Sequence, residues 1–233
     1  MSLGQVTADF DRYRETYDAA VNSSISFSGL TVDFFTRAKA EYITHILNET
    51  FGGLSALDLL DVGCGIGNLH PFFASKVHAL AGVDVSSECI KTARQLNPWA
   101  DYRSYDGDRL PFDDGRFDVA LTINVMHHVP PQDRKHFVRE LRRVVRPGGV
   151  GLVFEHNPYN LLTRHAVSSC EFDKDAILLP AGETERLLME AGFISPVTRF
   201  ILTIPAHNRS LQHVDRLFGR VPIGAQYYTL GVA

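Results

Sequence analysis

Apolar runs and segments of helical spacing alternate along the middle of the chain. Apolar runs bounded by turn residues predict strands at residues 57–62, 77–85, 101–105, 117–125, 150–155, 197–204 and 227–232. Apolar positions three and four apart predict helices at residues 68–76, 86–96, 132–145 and 184–191. Repeated strand–helix units of this kind favour a mostly parallel sheet with helices on both faces. The pattern therefore predicts a single, doubly wound α/β domain.

Three segments lie outside this alternation, at residues 1–50, 156–180 and 205–226. In an open α/β sheet a ligand lies beyond the carboxyl ends of the strands. Long segments without regular strand–helix alternation often cover such a site. We therefore interpret residues 1–50 as a helical lid segment. Residues 51–233 are interpreted as the ligand-binding domain, with the other two segments as lid insertions.

Composition and charge narrow the class of protein. A chain of 233 residues with 45% hydrophobic and 21% charged residues is typical of one globular domain. The formal net charge of −4 argues against a nucleic-acid binder that depends on a basic face. No apolar run approaches the roughly 20 residues of a membrane span, no leader pattern is present, and the three cysteines show no metal-ligand spacing. We therefore expect a cytoplasmic protein with no membrane span and no nucleic-acid partner.

The most specific local signal is the run D-V-G-C-G-I-G-N, from Asp61 to Asn68, directly after the first predicted strand. Three glycines at alternate positions predict a tight turn in which the backbone approaches a ligand closely. Dinucleotide-binding loops instead follow G-x-G-x-x-G and hold a pyrophosphate. Here the third glycine, Gly67, comes one residue early, and Asp61 would repel a pyrophosphate but attract a cation. Asp84 follows Gly63 by 21 residues, close to the spacing at which an acid binds ribose hydroxyls.

The D-x-G-x-G-x-G pattern resembles motif I of the class I S-adenosylmethionine-dependent methyltransferases. Four further features follow in the family's order: Asp84, the segment D-G-D-R-L-P-F at 106–112 with F-D after it, T-I-N-V-M-H-H-V at 122–129, and L-R-R-V-V-R-P-G-G at 141–149. The resemblance spans roughly residues 55–155. Within the family, these segments resemble the subgroup that includes the ubiquinone-biosynthesis (type 11-like) methyltransferases. It implies a Rossmann-like domain, a seven-stranded, mostly parallel sheet with one antiparallel strand, and S-adenosylmethionine as cofactor, with S-adenosylhomocysteine as product.

The resemblance also implies a cofactor site. Asp84 would bind the ribose hydroxyls, and Asp106 would accept a hydrogen bond from the adenine amino group, with Asp108 as the alternative in the D-G-D repeat. Asn124 and Met126 would lie near the methionine moiety. The complete implied set is Asp61, Gly63, Cys64, Gly65, Gly67, Asn68, Asp84, Val85, Asp106, Gly107, Asn124 and Met126.

Methyl transfer from a sulfonium requires a nucleophile that is held in line with the carbon–sulfur bond and shielded from water. A general base is needed only where the nucleophile keeps its proton, and the reaction needs no metal. The candidate bases are His156, after the fifth predicted strand, and His127, after the fourth, because histidine titrates near neutral pH. In the lid, Tyr13 and Tyr17 are candidates for acceptor contacts, and Arg164 is a candidate to meet an anionic group.

The sequence therefore predicts methyl transfer to an oxygen, nitrogen or carbon atom of a small molecule. The alternatives are an inactive S-adenosylmethionine-binding protein that acts through partner contact, an NAD-dependent oxidoreductase and a nucleic-acid methyltransferase. The segment Asn157-Pro158-Tyr159 resembles part of the N-P-P-Y loop that holds a flipped base in amino-group DNA methyltransferases. It lacks one proline and follows the fifth predicted strand, whereas that loop follows the fourth. For His128 we expect a structural hydrogen bond.

Overall fold

The computed structural model describes residues 17–204 and 209–233. The helices are α1 (Tyr17–Ser24), α2 (Val32–Phe51), α3 (Ser87–Leu96), α4 (Arg134–Val144), α5 (Leu161–Ser169), α6 (Ala181–Glu190) and α7 (Arg209–Leu217). The strands are β1 (Asp58–Val62), β2 (Ala79–Asp84), β3 (Asp101–Ser104), β4 (Phe117–Ile123), β5 (Val145–His156), β6 (Ile194–Ile201) and β7 (Gln226–Val232). None of these helices has both the length and the apolar character that crossing a membrane requires.

The strands of the described residues form one sheet in the order β3-β2-β1-β4-β5-β7-β6. The pairings from β3 through β5 are parallel. β7 lies between β5 and β6 and is antiparallel to both. This confirms the predicted doubly wound fold with a seven-stranded, mostly parallel sheet and one antiparallel strand. The strand order reverses between β1 and β4, and ligands of such sheets bind in the crevice at that reversal.

Helices cover both faces of the sheet, which explains why its central strands are nearly continuous apolar runs. All five residues of β1 are buried. Leu59 of β1 belongs to the core on one face, together with Ile43 and Leu47 of α2. The next residue, Leu60, belongs to the core on the other face, together with Val138 of α4. The alternation of side chains along β1 thus places α2 and α4 on opposite sides of the sheet.

The prediction of a helix at residues 68–76 is wrong. A short 3-10 helix, His70–Phe72, lies there between turns. Ser75 has a left-handed backbone with φ of 59°, which a right-handed helix cannot contain. The buried His70 ring bonds Asp61 on one side and the Tyr102 hydroxyl on the other. Tertiary contacts of one side chain, and not helical periodicity, therefore set the conformation of this segment.

Candidate functional site

A large cavity opens at the carboxyl ends of β1, β2, β4 and β5, at the point where the strand order reverses. Its volume is about 1070 Å³, and small-molecule sites usually have about 300–1,000 Å³. The loops after these four strands line its floor, and α1, α2 and α5 contribute to its walls. The cavity is large enough for a cofactor and an acceptor to be bound together.

The glycine loop after β1 forms one part of the floor. Gly63 has φ of 80°, and a Cβ atom on it would lie 2.3 Å from a methyl carbon of Val125, so no larger residue fits. Gly65 has φ of 53°, and a Cβ atom there would meet nothing within 4 Å. The Gly63 and Cys64 N–H groups both donate to the carbonyl of Val83 on β2. The loop is therefore held against the sheet at Gly63 and leaves open space for a ligand at Gly65.

Asp61, at the end of β1, has one free oxygen. Its Oδ2 lies 2.9 Å from Nε2 of His70. Its Oδ1 is buried and has no hydrogen-bond partner among the described residues. A buried carboxylate oxygen without a partner is costly, because the group has lost its hydration without a replacement. Since Asp61 lines the cavity, this oxygen is positioned to accept a hydrogen bond from a cationic ligand.

Lys39 of α2 lines the same cavity and interacts electrostatically with Asp61 and Glu155. Burial lowers the pKa of Lys39 to about 8, although both carboxylates oppose this shift. This end of the cavity therefore holds one positively charged group, the Lys39 amine, and one negatively charged group, the Asp61 carboxylate. Such a pair is complementary to the ammonium and carboxylate groups of an amino-acid moiety.

Asp84, at the end of β2, connects the glycine loop with the start of α3. Its Oδ2 accepts a 2.8 Å hydrogen bond from the Gly65 N–H, and its Oδ1 accepts a 2.9 Å bond from the Ser86 N–H. Burial raises the pKa of Asp84, although both N–H groups favour the ionised form. An ionised carboxylate has about four acceptor positions, so Asp84 can hold the loop and still accept bonds from ligand hydroxyls. Val85 lines the cavity beside it.

Asp106 and Asp108 both line the cavity after β3, but their partners differ. Asp106 Oδ1 accepts a 3.0 Å hydrogen bond from the Asp108 N–H, and backbone N–H groups lower the pKa of Asp106. Oδ1 of Asp108 lies 2.9 Å from Nε2 of His136 on α4. Among the described residues, the Asp106 carboxylate thus accepts hydrogen bonds from its own turn, whereas the Asp108 carboxylate contacts His136 on a neighbouring helix.

Asn124 and Met126 follow β4 and face different environments. Asn124 has a left-handed backbone with φ of 55°, and its side-chain Oδ1 is buried without a partner among the described residues. Non-glycine residues rarely adopt this conformation, and it concentrates at ligand sites. Met126 is fully buried in the core between the sheet and α4, and its N–H donates to Glu155 Oε1 at 2.7 Å. Asn124 faces the cavity, and Met126 supports the loop from behind.

Buried polar oxygens without partners are concentrated at this cavity. Besides Asp61 and Asn124, the Thr203 hydroxyl and the Gln226 side-chain carbonyl belong to residues that line it. Buried polar groups in native proteins nearly always have a partner. Four such atoms around one cavity indicate that its natural contents include polar groups that supply the missing bonds.

Two histidines after β4, Glu155 on β5 and Asp173 after α5 form a partly buried cluster. Nδ1 of His127 lies 2.7 Å from Oε2 of Glu155, and its Nε2 lies 3.5 Å from Oδ1 of Asp173. The same Asp173 oxygen lies 3.4 Å from Nε2 of His128. Burial alone would lower the pKa of His127, but Glu155 and Asp173 together raise it to about 9. Both ring nitrogens of His127 thus face carboxylates and are unavailable to an acceptor.

His156 lines the cavity at the end of β5. Burial lowers the pKa of His156 to about 3, and the nearby charge of His127 adds to this effect. The Nε2 atom of Gln226 lies 3.5 Å from Nδ1 of His156. A neutral imidazole can accept one hydrogen bond and donate another.

Asn157 has a structural role that explains the N-P-Y segment. Its Nδ2 donates to the carbonyls of Pro222 and Gly224, at 3.1 and 2.8 Å, and its Oδ1 accepts from the Tyr159 N–H at 3.0 Å. The side-chain amide ties the end of β5 to the turn before β7. It has no remaining donor to bind a flipped base.

The structure gathers most of the predicted site residues in this one cavity. Those that line it are Asp61, Gly63, Cys64, Gly65, Asn68, Asp84, Val85, Asp106, Gly107, Asn124, His127 and His156. Gly67 and Met126 lie behind the loops, and Arg164 is exposed on α5 outside the cavity lining. Tyr13 and the side chain of Tyr17 lie outside the described residues.

Sequence reasoning missed Lys39, Asp173 and Gln226, which all line the cavity. Each lies in a segment without a recognisable motif, 22 or more residues away from the glycine loop that begins at Asp61. The only available signal was that all three residues lie in the segments predicted to form the lid, at 1–50, 156–180 and 205–226. Their approach to the loops after β1 and β5 depends on tertiary packing.

The sequence around this cavity is similar to that of known methyltransferases. Residues 60–153 match the family described as "Methyltransferase domain". A 2-methyl-6-phytyl-1,4-hydroquinone methyltransferase from Synechocystis sp. is 34% identical over 131 residues, which are 53% of this chain and 40% of that protein. A ubiquinone biosynthesis O-methyltransferase from Nitrosomonas europaea is 30% identical over 157 residues, which are 64% of this chain and 63% of that protein. Residues 60–153 thus form a methyltransferase domain similar to those of the class I S-adenosylmethionine-dependent methyltransferases. The match spans between 40% and 63% of the length of these two relatives.

The fold of this methyltransferase domain is also found in solved structures. A crystal structure from Thermotoga maritima, titled as a SAM-dependent methyltransferase and possible histamine N-methyltransferase, has a TM-score of 0.68 at 19% identity. The alignment covers 97% of this chain and 99% of that one. At this identity the likeness is one of fold.

The donor groups of the cavity fit the cofactor that the family uses. S-adenosylmethionine carries an ammonium and a carboxylate at one end and ribose hydroxyls and an adenine at the other. The free Asp61 Oδ1 and the Lys39 amine match the first end. The open space at Gly65 and the carboxylates of Asp84 and Asp106 match the second.

Proposed function

We propose that this chain transfers a methyl group from S-adenosylmethionine to a small-molecule acceptor. The observation that carries the proposal is the buried, unpartnered Oδ1 of Asp61, next to a glycine loop that leaves open space at Gly65. A cationic hydrogen-bond donor in the crevice between β1 and β4 would satisfy this oxygen. The names of the two relatives, which concern a hydroquinone and ubiquinone biosynthesis, support an acceptor of low molecular weight.

Each polar group on the floor has one role in this proposal. Asp61 binds the ammonium of the methionine moiety, and Lys39 binds its carboxylate. Asp84 accepts hydrogen bonds from the ribose hydroxyls while it still holds the Gly65 N–H. Asp106 accepts a bond from the adenine amino group, because the competing carboxylate of Asp108 is already paired with His136. Further cofactor contacts come from Gly63, Cys64, Asn68, Val85, Gly107 and Asn124, whereas Gly67 and Met126 support the loops from outside the cavity.

The family's cofactor supplies an activated methyl group on a sulfonium, so the protein must mainly position the nucleophile and exclude water. His156 is suited to positioning: as a neutral imidazole it accepts a hydrogen bond from an acceptor O–H or N–H group. Because the pKa of His156 is low, its imidazole can orient the acceptor's O–H or N–H group but does not stay protonated after the reaction. His127 is less suited, since Glu155 and Asp173 face its two nitrogens.

The segments outside the strand–helix alternation would form the lid. α1 contacts α2 and α5, and the ring of Phe27 lies 5.3 Å from that of His165 in an edge-on arrangement. Apolar side chains of these segments, including Ile25, Phe35 and Leu162, line the cavity. An apolar cover excludes water and strengthens the electrostatic contacts beneath it. We propose on this basis that the described parts of the predicted lid, residues 17–50 and 156–180, enclose the acceptor, with residues 209–226 beside them.

Calorimetric titration with S-adenosylhomocysteine tests the proposal. We expect binding in the micromolar range and no binding of NAD. Asp61→Asn should weaken S-adenosylhomocysteine binding by about 10- to 100-fold, because a hydrogen bond between charged groups is lost. Asp101→Asn is the matched control, since that carboxylate is exposed on β3 and pairs with Arg103 outside the cavity. Tight NAD binding, or equal affinities of Asp61→Asn and the wild type, would overturn the proposed function.

A further inference from the structure

Three side chains that line the cavity lie close enough together to bind one cation. They are His127 and His128, which follow β4, and Asp173, which follows α5. Each offers a donor atom, and all three donor atoms lie within 4.8 Å of one another. Asp173 Oδ1 is 3.5 Å from Nε2 of His127 and 3.4 Å from Nε2 of His128. All three residues line the cavity.

These two distances are informative because they exceed the usual 2.7–3.2 Å of an N–H···O hydrogen bond. Two ligands of a tetrahedral cation with bonds of about 2.0–2.1 Å lie roughly 3.3–3.4 Å apart. The Asp173 oxygen and each imidazole nitrogen are separated by almost this edge length. A cation of this size can therefore replace the direct contacts that Asp173 makes with the two imidazole rings.

Glu155 provides the second observation. It is fully buried, and its Oε2 lies 2.7 Å from Nδ1 of His127. The Glu155 carboxylate keeps an N–H on Nδ1, so that a cation which displaces the proton on Nε2 meets the lone pair of that nitrogen. Histidines that bind metals nearly always donate their other N–H to a carboxylate or carbonyl in this way. Glu155 is itself fixed, because its Oε1 accepts the Met126 N–H at 2.7 Å.

We propose that His127, His128 and Asp173 form a binding site for a divalent transition-metal cation of the Zn²⁺ type. Two imidazole nitrogens and one carboxylate oxygen are a ligand set that zinc accepts, and three protein ligands leave a fourth position open. Because all three ligands line the cavity, a molecule bound in the cavity can occupy the fourth position. The sequence contained no metal signature because Asp173 lies 45 positions after His128.

The site also narrows the acceptor class, and this part rests on the proposed function. An open zinc position favours an oxygen or nitrogen donor and lowers the pKa of a bound hydroxyl group. The acceptor that fits is therefore a small molecule with an ionisable oxygen, such as a phenol or an enol. Binding at the cation would bring that oxygen next to the part of the cavity assigned to the methionine moiety.

Metal content is tested without any methyl acceptor. The purified protein is freed of metal by dialysis against a chelator and titrated with Zn²⁺ against a chromophoric competitor. We expect one Zn²⁺ per chain. S-adenosylhomocysteine binding is measured on the same metal-free preparation. Retained S-adenosylhomocysteine binding without stoichiometric zinc overturns the metal site and leaves the proposed function standing. Stoichiometric zinc without S-adenosylhomocysteine binding supports the metal site and overturns the proposed function.

Matched variants assign the ligands. Asp173→Asn and His128→Ala should each abolish stoichiometric zinc binding, whereas the controls Asp175→Asn and His78→Ala should keep it, since both control side chains are exposed. Glu155→Gln should weaken zinc binding about 10- to 100-fold, as expected when an outer partner of a metal ligand is lost. Unchanged S-adenosylhomocysteine affinity shows that each variant is folded. Zinc affinities of Asp173→Asn and His128→Ala equal to that of the wild type would refute the assignment.

A spectroscopic probe tests the open position. Co²⁺ replaces zinc in such sites and absorbs visible light according to its coordination. Adding azide, a small anionic ligand, to the Co²⁺-loaded protein should change this spectrum. A spectrum that azide leaves unchanged would mean a closed site and would overturn the acceptor role of the cation.

Discussion

The glycine loop after β1 and the histidine cluster after β4 lie in the same cavity but depend on different kinds of contact. In the glycine loop, the backbone conformations of Gly63 and Gly65 and two N–H bonds to Val83 set the geometry. In the histidine cluster, side chains from separate segments meet: His127 follows β4, and Asp173 follows α5. The first region is local in sequence, and the second is assembled by packing.

This difference has a consequence for chemistry. A loop whose shape depends on backbone conformation suits the ligand that all members of the family share, which is the cofactor. A cluster built from side chains of the lid can change in sequence without disturbing the sheet. It therefore suits the methyl acceptor, which differs between relatives. The predictions below test whether the two regions separate in this way.

The largest expected effect is on folding, at Gly63. Gly63→Ala places a Cβ 2.3 Å from Val125 at a residue with φ of 80°. The left-handed backbone costs about 1–2 kcal/mol and the overpacking about 1–3 kcal/mol, so urea denaturation should show a large loss of stability. Gly65→Ala has the backbone cost without the clash, and it should lose S-adenosylhomocysteine affinity more than stability. Equal loss of stability in the two variants would contradict the distinction between a packed and an open glycine.

In the acceptor region the expected effect is on turnover. His156→Ala should leave S-adenosylhomocysteine affinity unchanged and lower kcat by about tenfold, because one hydrogen bond to the acceptor is lost. Steady-state kinetics with an identified acceptor, together with calorimetry, measures both. His78→Ala is the control, since this exposed side chain pairs with Asp58 at the opposite end of β1. A parallel loss of cofactor affinity in His156→Ala would mean that the two regions are not separable.

Lys39 connects the two regions and should make cofactor binding depend on pH. Its pKa is lowered to about 8, so the charge that attracts a carboxylate is present below this pH and is lost as the pH rises through it. S-adenosylhomocysteine affinity should therefore decline between about pH 8 and about pH 10. The ammonium of the ligand titrates in the same range, so Lys39→Met provides the reference profile. Identical profiles for wild type and Lys39→Met would exclude a role for Lys39.

The smallest expected effect distinguishes the two acids after β3. Asp106→Ala should weaken S-adenosylhomocysteine binding by about two- to tenfold, the value of one exposed hydrogen bond. Asp108→Ala should have no effect on binding, because that carboxylate pairs with His136. Calorimetry of both variants decides the register of the D-G-D segment. A larger loss in Asp108→Ala would reverse the assignment.

The sequence predicted the fold and the glycine-loop half of the candidate site because both depend on patterns within short stretches. Apolar runs ending in Asp61 and Asp84 identified β1 and β2, and the sheet confirmed their parallel pairing. The helix predicted after the loop was wrong for a reason outside that pattern. His70 is drawn into the interior by Asp61 and Tyr102, and no periodicity encodes such a contact.

The sequence alone determined the doubly wound sheet, the family and the loop that suits its cofactor, because backbone conformation and apolar periodicity are properties of neighbouring residues. Only the tertiary structure showed that Lys39 lies near Asp61, that Glu155 and Asp173 face the two nitrogens of His127, and that His156 is buried as a neutral ring. These contacts join residues far apart in the chain. Their burial and charge arise only when the helices pack over the carboxyl edge of the sheet.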